Sequence, residues 1–148
     1  MKNWIKVILS SKGVVEEACL TIDRYIEAIA LSALSSNAHK SIDKVISLLN
    51  RKQNLLCLKM LNESILVALD KMELQLVDCL VNNCTIESLR TEWQCSRNTV
   101  VKRIEKLYAK IGKILVDLGF TSKVFLNTYR KITFIYNKYL KFAKIQAA

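Results

Sequence analysis

The sequence contains no proline, and only three of its 148 residues are glycine. These two residues are the main local breakers of helices, so their scarcity leaves too few turn residues for an all-β fold. Apolar residues make up 51% of the chain, enough for a sizeable core, and the length is that of one domain. The composition therefore predicts an all-α protein.

The sequence also lacks the patterns of common metal and catalytic sites. No two of its five cysteines have C-x-x-C spacing, and the intervals Cys79–Cys84 and Cys84–Cys95 fit no common zinc pattern. The one histidine, His39, is predicted in a turn. We find no glycine-rich phosphate loop and no carboxylate pair in a polar pocket pattern. We therefore expect no metal, no cofactor and no enzymatic activity.

Long apolar runs are missing as well. No stretch approaches the roughly 18 apolar residues of a membrane span, and the run Val7–Leu9 is too short for a signal peptide. An odd number of cysteines, mostly within apolar helical patterns, is typical of reduced thiols that pack as small hydrophobes. We expect a cytoplasmic protein.

Positive charge is plentiful and unevenly placed. Residues 1–84 carry ten Lys/Arg against nine Asp/Glu, whereas residues 85–113 carry seven against three and residues 121–148 carry six against none. Nearly all of the net charge of +10 therefore lies in the C-terminal half. This asymmetry predicts a polyanionic partner, which is usually nucleic acid and less often an acidic membrane face.

Hydrophobic spacings of three and four divide the chain into three segments and about six helices. Residues 1–70 are predicted as an N-terminal helical region for packing or oligomerisation. Residues 71–120 are predicted as a helix-turn-helix. Residues 121–148 are predicted as a basic, aromatic C-terminal helix that closes the structure or forms a homodimer.

The N-terminal region has two long helical patterns, Val14–Ser35 and Ser41–Asp70. A short helix around Lys2–Leu9 precedes them, with Gly13 as the predicted break, and residues 35–37 have turn chemistry. The absence of Pro and Gly favours one continuous second helix despite the polar residues 51–54.

Two helix starts and a tight turn characterise the middle segment. Thr85 is a good N-cap for a helix of barely two turns, because its hydroxyl can accept from a first-turn N–H. Gln94-Cys95 then forms the turn, and Ser96 caps a longer helix that ends at Gly119, where glycine adopts the left-handed conformation freely. A short helix, a turn and a capped second helix are typical of a helix-turn-helix.

The second helix of this motif enters the major groove of DNA, and its first residues meet base edges. Arg97, Asn98 and Lys102 are the candidate base readers, since Arg can bond guanine and Asn adenine. Arg103, Lys106 and Thr85 are the candidate phosphate contacts, and helix-start N–H groups can hold phosphate too. Trp93 closes an apolar stripe and is interpreted as a packing residue. The full candidate set is Thr85, Ser96, Arg97, Asn98, Thr99, Lys102, Arg103 and Lys106.

The stretch TIESLRTEWQCSRNTVVKRIEKL resembles the helix-turn-helix of sigma factor region 4, most closely in the ArpU-like regulators of Firmicutes and their phages. Glu87 and Leu89 match the first helix, Cys95 matches the small turn residue, and Ser96-Arg97 opens the recognition helix. The resemblance implies that the protein binds double-stranded DNA at a promoter or operator, with RNA polymerase as a candidate partner. No promoter-melting region precedes the motif, which favours a stand-alone regulator.

Two other functions stay open at this point. The helix-turn-helix residues could be the solvated face of an amphipathic helix in a protein-interaction module that binds RNA polymerase or a phage factor. The tail alternates aromatic and basic residues, a pattern typical of a packed core or dimer helix, of a phosphate-contacting arm, or of a helix on a membrane surface.

Overall fold

The structure is a computed structural model that describes residues 1–32 and 38–147. Within those ranges the chain forms eight α-helices and no strand, so the all-α class is confirmed. The helices are α1 (Lys2–Ser10), α2 (Lys12–Ser32), α3 (Ala38–Ala68), α4 (Lys71–Val81), α5 (Ile86–Trp93), α6 (Arg97–Asp117), α7 (Ser122–Tyr129) and α8 (Thr133–Ala147). The predicted number of about six is too low, because the tail forms two helices where one was predicted.

The two longest N-terminal helices, α2 and α3, pack as an antiparallel pair. The Lys52 amine lies 2.6 Å from the Asp23 carboxylate, and the Lys59 amine lies 3.3 Å from the Glu16 carboxylate. Residue numbers rise along α3 as they fall along α2, which fixes the antiparallel direction. The predicted continuity of α3 through residues 51–54 is confirmed. The turn predicted at residues 35–37 lies outside the described residues.

The break between α1 and α2 lies at Ser11, so the prediction of a break at Gly13 is wrong. The Ser11 N–H donates to the Ile8 carbonyl and closes α1, while its carbonyl accepts from the Val15 N–H at 2.8 Å and opens α2. One residue thus serves both helix ends. Gly13 sits in the first turn of α2, where its flexibility is tolerated.

The short helix α1 lies at the centre of the core and packs on α2, α3, α4, α6 and α8. Five of its nine residues are buried. Asn62 of α3 donates its side-chain amide to the Ile8 carbonyl at 3.0 Å and ties the end of α1 to α3. The three segments predicted from the sequence therefore contribute to a single core.

The tail folds back on itself around Trp4. Its indole stacks on Phe125 of α7 at 5.4 Å and on Tyr139 of α8 at 4.4 Å between ring centroids. In one straight helix these two residues would be about 21 Å apart, since each residue rises about 1.5 Å. The expected single helix from residue 121 is therefore wrong, and the chain turns at residues 130–132 so that both rings reach Trp4.

Candidate nucleic-acid interface

The first helix of the motif, α5, begins and ends as its sequence predicts. Thr85 Oγ1 accepts from the Ser88 N–H at 3.1 Å, which satisfies one first-turn donor. Leu89 is buried and anchors the helix on the core. At the other end Gln94 adopts a left-handed conformation with φ of 49°, and the Cys95 N–H donates to the Arg90 carbonyl at 3.2 Å. This closure makes the turn between the helices tight.

The second helix, α6, starts immediately after that turn. Ser96 Oγ accepts from the Thr99 N–H at 3.2 Å and lies 2.9 Å from Thr99 Oγ1. The two hydroxyls are thus paired with each other, and the Ser96 hydroxyl also caps the helix backbone. The N–H groups of Arg97 and Asn98 have no acceptor within the helix, because they belong to its first turn. These two N–H groups are the free donors that an anion would meet at this end.

One side of α6 is buried and the other is polar. Val100, Leu107 and Ile111 are in the core. The exposed side chains on the outside begin with Asn98 and continue one turn later with Lys102, while Arg97 is exposed at the first position of the helix. Lys106 is exposed one turn beyond that. A spacing of four residues keeps Asn98, Lys102 and Lys106 close to one face of the helix.

Arg103 differs from the other basic residues of the set. Its guanidinium lies over the Trp93 ring, 5.2 Å from the centroid, and the side chains of both residues are half-buried. This cation–π contact joins the end of α5 to the second turn of α6 and stabilises the angle between them. The expected packing role of Trp93 is consistent with this placement. Arg103 therefore positions the motif, whatever else it contacts.

Sequence reasoning missed two acidic residues that shape this surface. Glu105 is exposed on the same face as Asn98 and Lys102, since it follows them by seven and three residues. Further along, Glu73 of α4 pairs with Lys110 at 2.7 Å, so Lys110 is partly neutralised. A helical-wheel plot of the sequence would have shown Glu105. The Glu73 contact depends on how α4 crosses α6 and has no local signal.

The aromatic tail is part of the core. Phe125, Tyr129, Ile132 and Ile135 are buried, so much of the apolar face that a membrane-surface helix needs is already covered. Lys123, Arg130 and Lys131 are exposed.

Lys138, also in the tail, is held inside the fold. Its amine donates to the Ser10 carbonyl at 2.6 Å, and burial lowers its pKa, with a smaller contribution from Lys141. Because its amine caps the carbonyl end of α1, Lys138 is a structural cation.

The histidine and the cysteines do not form a metal site. His39 is exposed and lies within helix α3, so the prediction that it lies in a turn between helices is wrong. Burial, and to a smaller extent the neighbouring Cys84, raises the pKa of the Cys79 thiol to about 11. Within residues 1–32 and 38–147, no three metal-ligating side chains come together. None of the helices described there has the length and apolar composition to cross a bilayer.

Comparison with known proteins gives no relative: no protein-family model, curated protein or solved structure matches this chain.

Proposed function

We propose that this protein is a sequence-specific, DNA-binding transcription regulator that inserts the N-terminal turns of α6 into the major groove. The observation that carries the proposal is the exposed set of Asn98, Lys102 and Lys106 on the side of α6 opposite the core, with Arg97 exposed at the start of the same helix. The tight turn at Gln94-Cys95 sets this helix off from α5, as groove entry requires.

Each residue of the set has a distinct role in this proposal. Arg97 and Asn98 lie in the first turn and read base edges, because both side chains can make bidentate bonds to a purine. Lys102 lies one turn further and reads a base or a phosphate. Lys106, Thr85 and the free N–H groups of the first turn hold phosphates along the groove walls. Ser96 and Thr99 fix the helix start, and Arg103 holds α5 against α6.

Charge supports the same assignment. Residues 85–113 carry seven Lys/Arg against three Asp/Glu, so the motif attracts a polyanion. Glu105 opposes that attraction and repels phosphate at the third turn of α6. The contact therefore ends near Lys106, and the remainder of α6, with Ile111 and Leu115 buried, serves the core.

The resemblance to sigma factor region 4 and the ArpU-like regulators extends the proposal to promoter or operator DNA, with RNA polymerase as a partner. The same α5–α6 surface serves a protein-interaction module in the rival interpretation. Binding to short duplexes in the absence of any other protein separates the two.

The test is charge reversal at Lys102, with Lys113 as the matched control. Both lysines are exposed on nearly the same face of α6, about 16 Å apart along its axis. Each change to Glu alters the net charge equally. Lys102→Glu should weaken duplex binding roughly ten- to hundred-fold, because a base-edge or phosphate bond is lost and a repulsion is gained. Lys113→Glu should weaken it only a few-fold.

Fluorescence anisotropy with labelled duplexes at two salt concentrations measures both affinities, and circular dichroism checks that each variant folds. Equal losses in the two variants would mean that attraction is general and that α6 does not enter the groove. If Lys102→Glu bound the duplex as tightly as wild type, the proposed DNA contact of α6 would be wrong.

A further inference from the structure

The outer side of α3 carries a regular apolar stripe that no other part of the described chain covers. Successive residues of this stripe are separated by four, three, four, three, four, three and four positions, a pattern that repeats every seven residues with two stripe positions in each repeat. Six are large and apolar, and two are polar. The members of this α3 stripe are Ile42, Ile46, Leu49, Gln53, Leu56, Met60, Glu63 and Val67.

A 3.5-residue repeat is the spacing of a coiled-coil seam, and it differs from the wider face of a helix that packs in a globular core. The six apolar side chains are 39% to 87% exposed. They extend over about 38 Å of helix, since 25 residues rise about 1.5 Å each. The repeat is therefore long enough to give three full heptads.

The side of α3 that faces the rest of the fold is already occupied. Leu55, Leu58 and Ile65 are buried in the core, and Lys52 and Lys59 pair with acidic residues of α2. The α3 stripe lies one residue further round the helix from the α2 contact, so α2 does not reach it. Two different faces of one helix are thus apolar, and one of them has no partner among residues 1–32 and 38–147.

The size and charge of the stripe suit a second copy of the same chain. Its six apolar side chains leave on the order of 600 Å² accessible, at the top of the range for an ordinary monomer patch and near the roughly 800 Å² each partner gives a standard interface. Residues 38–68 carry five Lys/Arg against two Asp/Glu, but Lys52 and Lys59 pair with acidic residues of α2, so two copies would approach without strong repulsion. The basic half of the chain, in contrast, would repel its own copy.

We propose that two copies of this chain associate through the α3 stripe about a two-fold axis. Each α3 packs the side chains of its stripe between those of the other α3. A two-fold interface uses the same patch on both chains, which one self-complementary stripe provides. The inference does not depend on DNA binding. If α6 also binds DNA, the dimer presents two recognition helices to a two-fold operator.

The test is the solution mass of the full chain without DNA, with two variants and a control. Sedimentation equilibrium at tens of micromolar should give twice the chain mass of 16.9 kDa. Leu49→Glu places a carboxylate in the seam and should give the monomer mass. Leu118→Glu, at an equally exposed leucine off the stripe, should stay dimeric.

Gln53→Leu supplies the opposite change and does not risk the fold, because Gln53 is exposed. It removes one of the two polar residues of the stripe, so the dissociation constant should fall at least several-fold. A monomeric wild-type chain would assign the stripe to some other partner and overturn the proposal. The proposal would also be overturned if neither Leu49→Glu nor Gln53→Leu changed the dissociation constant of the dimer. The same holds if Leu118→Glu weakened the dimer as much as Leu49→Glu.

Discussion

Gln94 adopts a backbone conformation that its residue type disfavours. It has φ of 49°, and the other left-handed residues in the described chain are Asn83 and Gly119, each also just after a helix. Asn and Gly adopt this conformation readily, whereas other L-residues pay about 1–2 kcal/mol. The turn of the helix-turn-helix is therefore formed at a cost in stability.

Gln94→Gly should raise the free energy of unfolding by about 1 kcal/mol, because glycine removes the steric strain at this position. The matched control is Gln75→Gly in the exposed interior of α4, which should lower it by roughly 0.5–1 kcal/mol. Urea denaturation measures both. If the two substitutions destabilise the protein equally, Gln94 is not left-handed in solution.

Single residues with local chemistry were the most predictable part of the molecule. Thr85 and Ser96 cap their helices, and Gly119 closes α6, where the Phe120 N–H donates to the Leu115 carbonyl at 2.8 Å. Each of these interactions spans five residues or fewer, so the sequence contains both partners. The Arg103–Trp93 contact depends on how two helices cross, and no local pattern predicted it.

At the scale of the element, α4 has the best-defined start. Asp70 accepts from the Glu73 N–H at 2.8 Å, while the Glu73 carboxylate accepts from the Asp70 N–H at 3.1 Å. This is a capping box, which the spacing of Asp70 and Glu73 would have allowed us to predict. The hydrogen bond from the Glu73 backbone, more than any other influence, lowers the pKa of Asp70 from its usual value of 3.8.

A pKa that is lower in the folded chain adds stability above the unfolded pKa, and that stability is lost as the pH falls through the folded pKa. Wild type should therefore lose stability relative to Asp70→Asn as the pH is lowered from about 5 to about 2, because Asn also caps but does not titrate there. Urea midpoints of the two proteins across this range measure the effect. A difference that stays constant with pH would show that the Asp70 pKa is not lowered.

Elements whose ends are set by distant contacts were harder to predict. The tail contains no Pro or Gly after Gly119, so its pattern indicated one helix. It divides because Phe125 and Tyr139 both stack on Trp4, more than a hundred residues earlier in the chain. In contrast, the continuity of α3 followed from its own composition and could be predicted.

At the scale of the whole molecule, α1 determines how the segments come together. Trp4, Ile5, Val7, Ile8 and Leu9 are all buried and form one broad face of this helix, whereas Lys2 and Lys6 lie on the opposite side. This amphipathic pattern is visible in the sequence, although the five helices that pack on α1 are not. The helix class was therefore predictable, and the arrangement of three segments around α1 was not.

The two exposed surfaces differ in charge. The near-neutral half carries the exposed α3 stripe, and the basic half carries the outer face of α6. Self-association and DNA binding would thus use different surfaces of one core. Lys102→Glu should therefore weaken DNA binding and leave the dimer intact, whereas Leu49→Glu should abolish the dimer and weaken binding to a two-fold operator but not to a single half-site.

The measurement that most directly tests DNA reading by α6 is selection of bound sequences from random duplex DNA, with wild type and Asn98→Ala in parallel. Wild type should enrich a defined motif. Asn98→Ala, which keeps the fold because Asn98 is exposed, should lose the preference for adenine at one position and retain the others. A wild-type pool that enriches no motif, or a variant that selects the wild-type motif unchanged, would contradict DNA reading by α6.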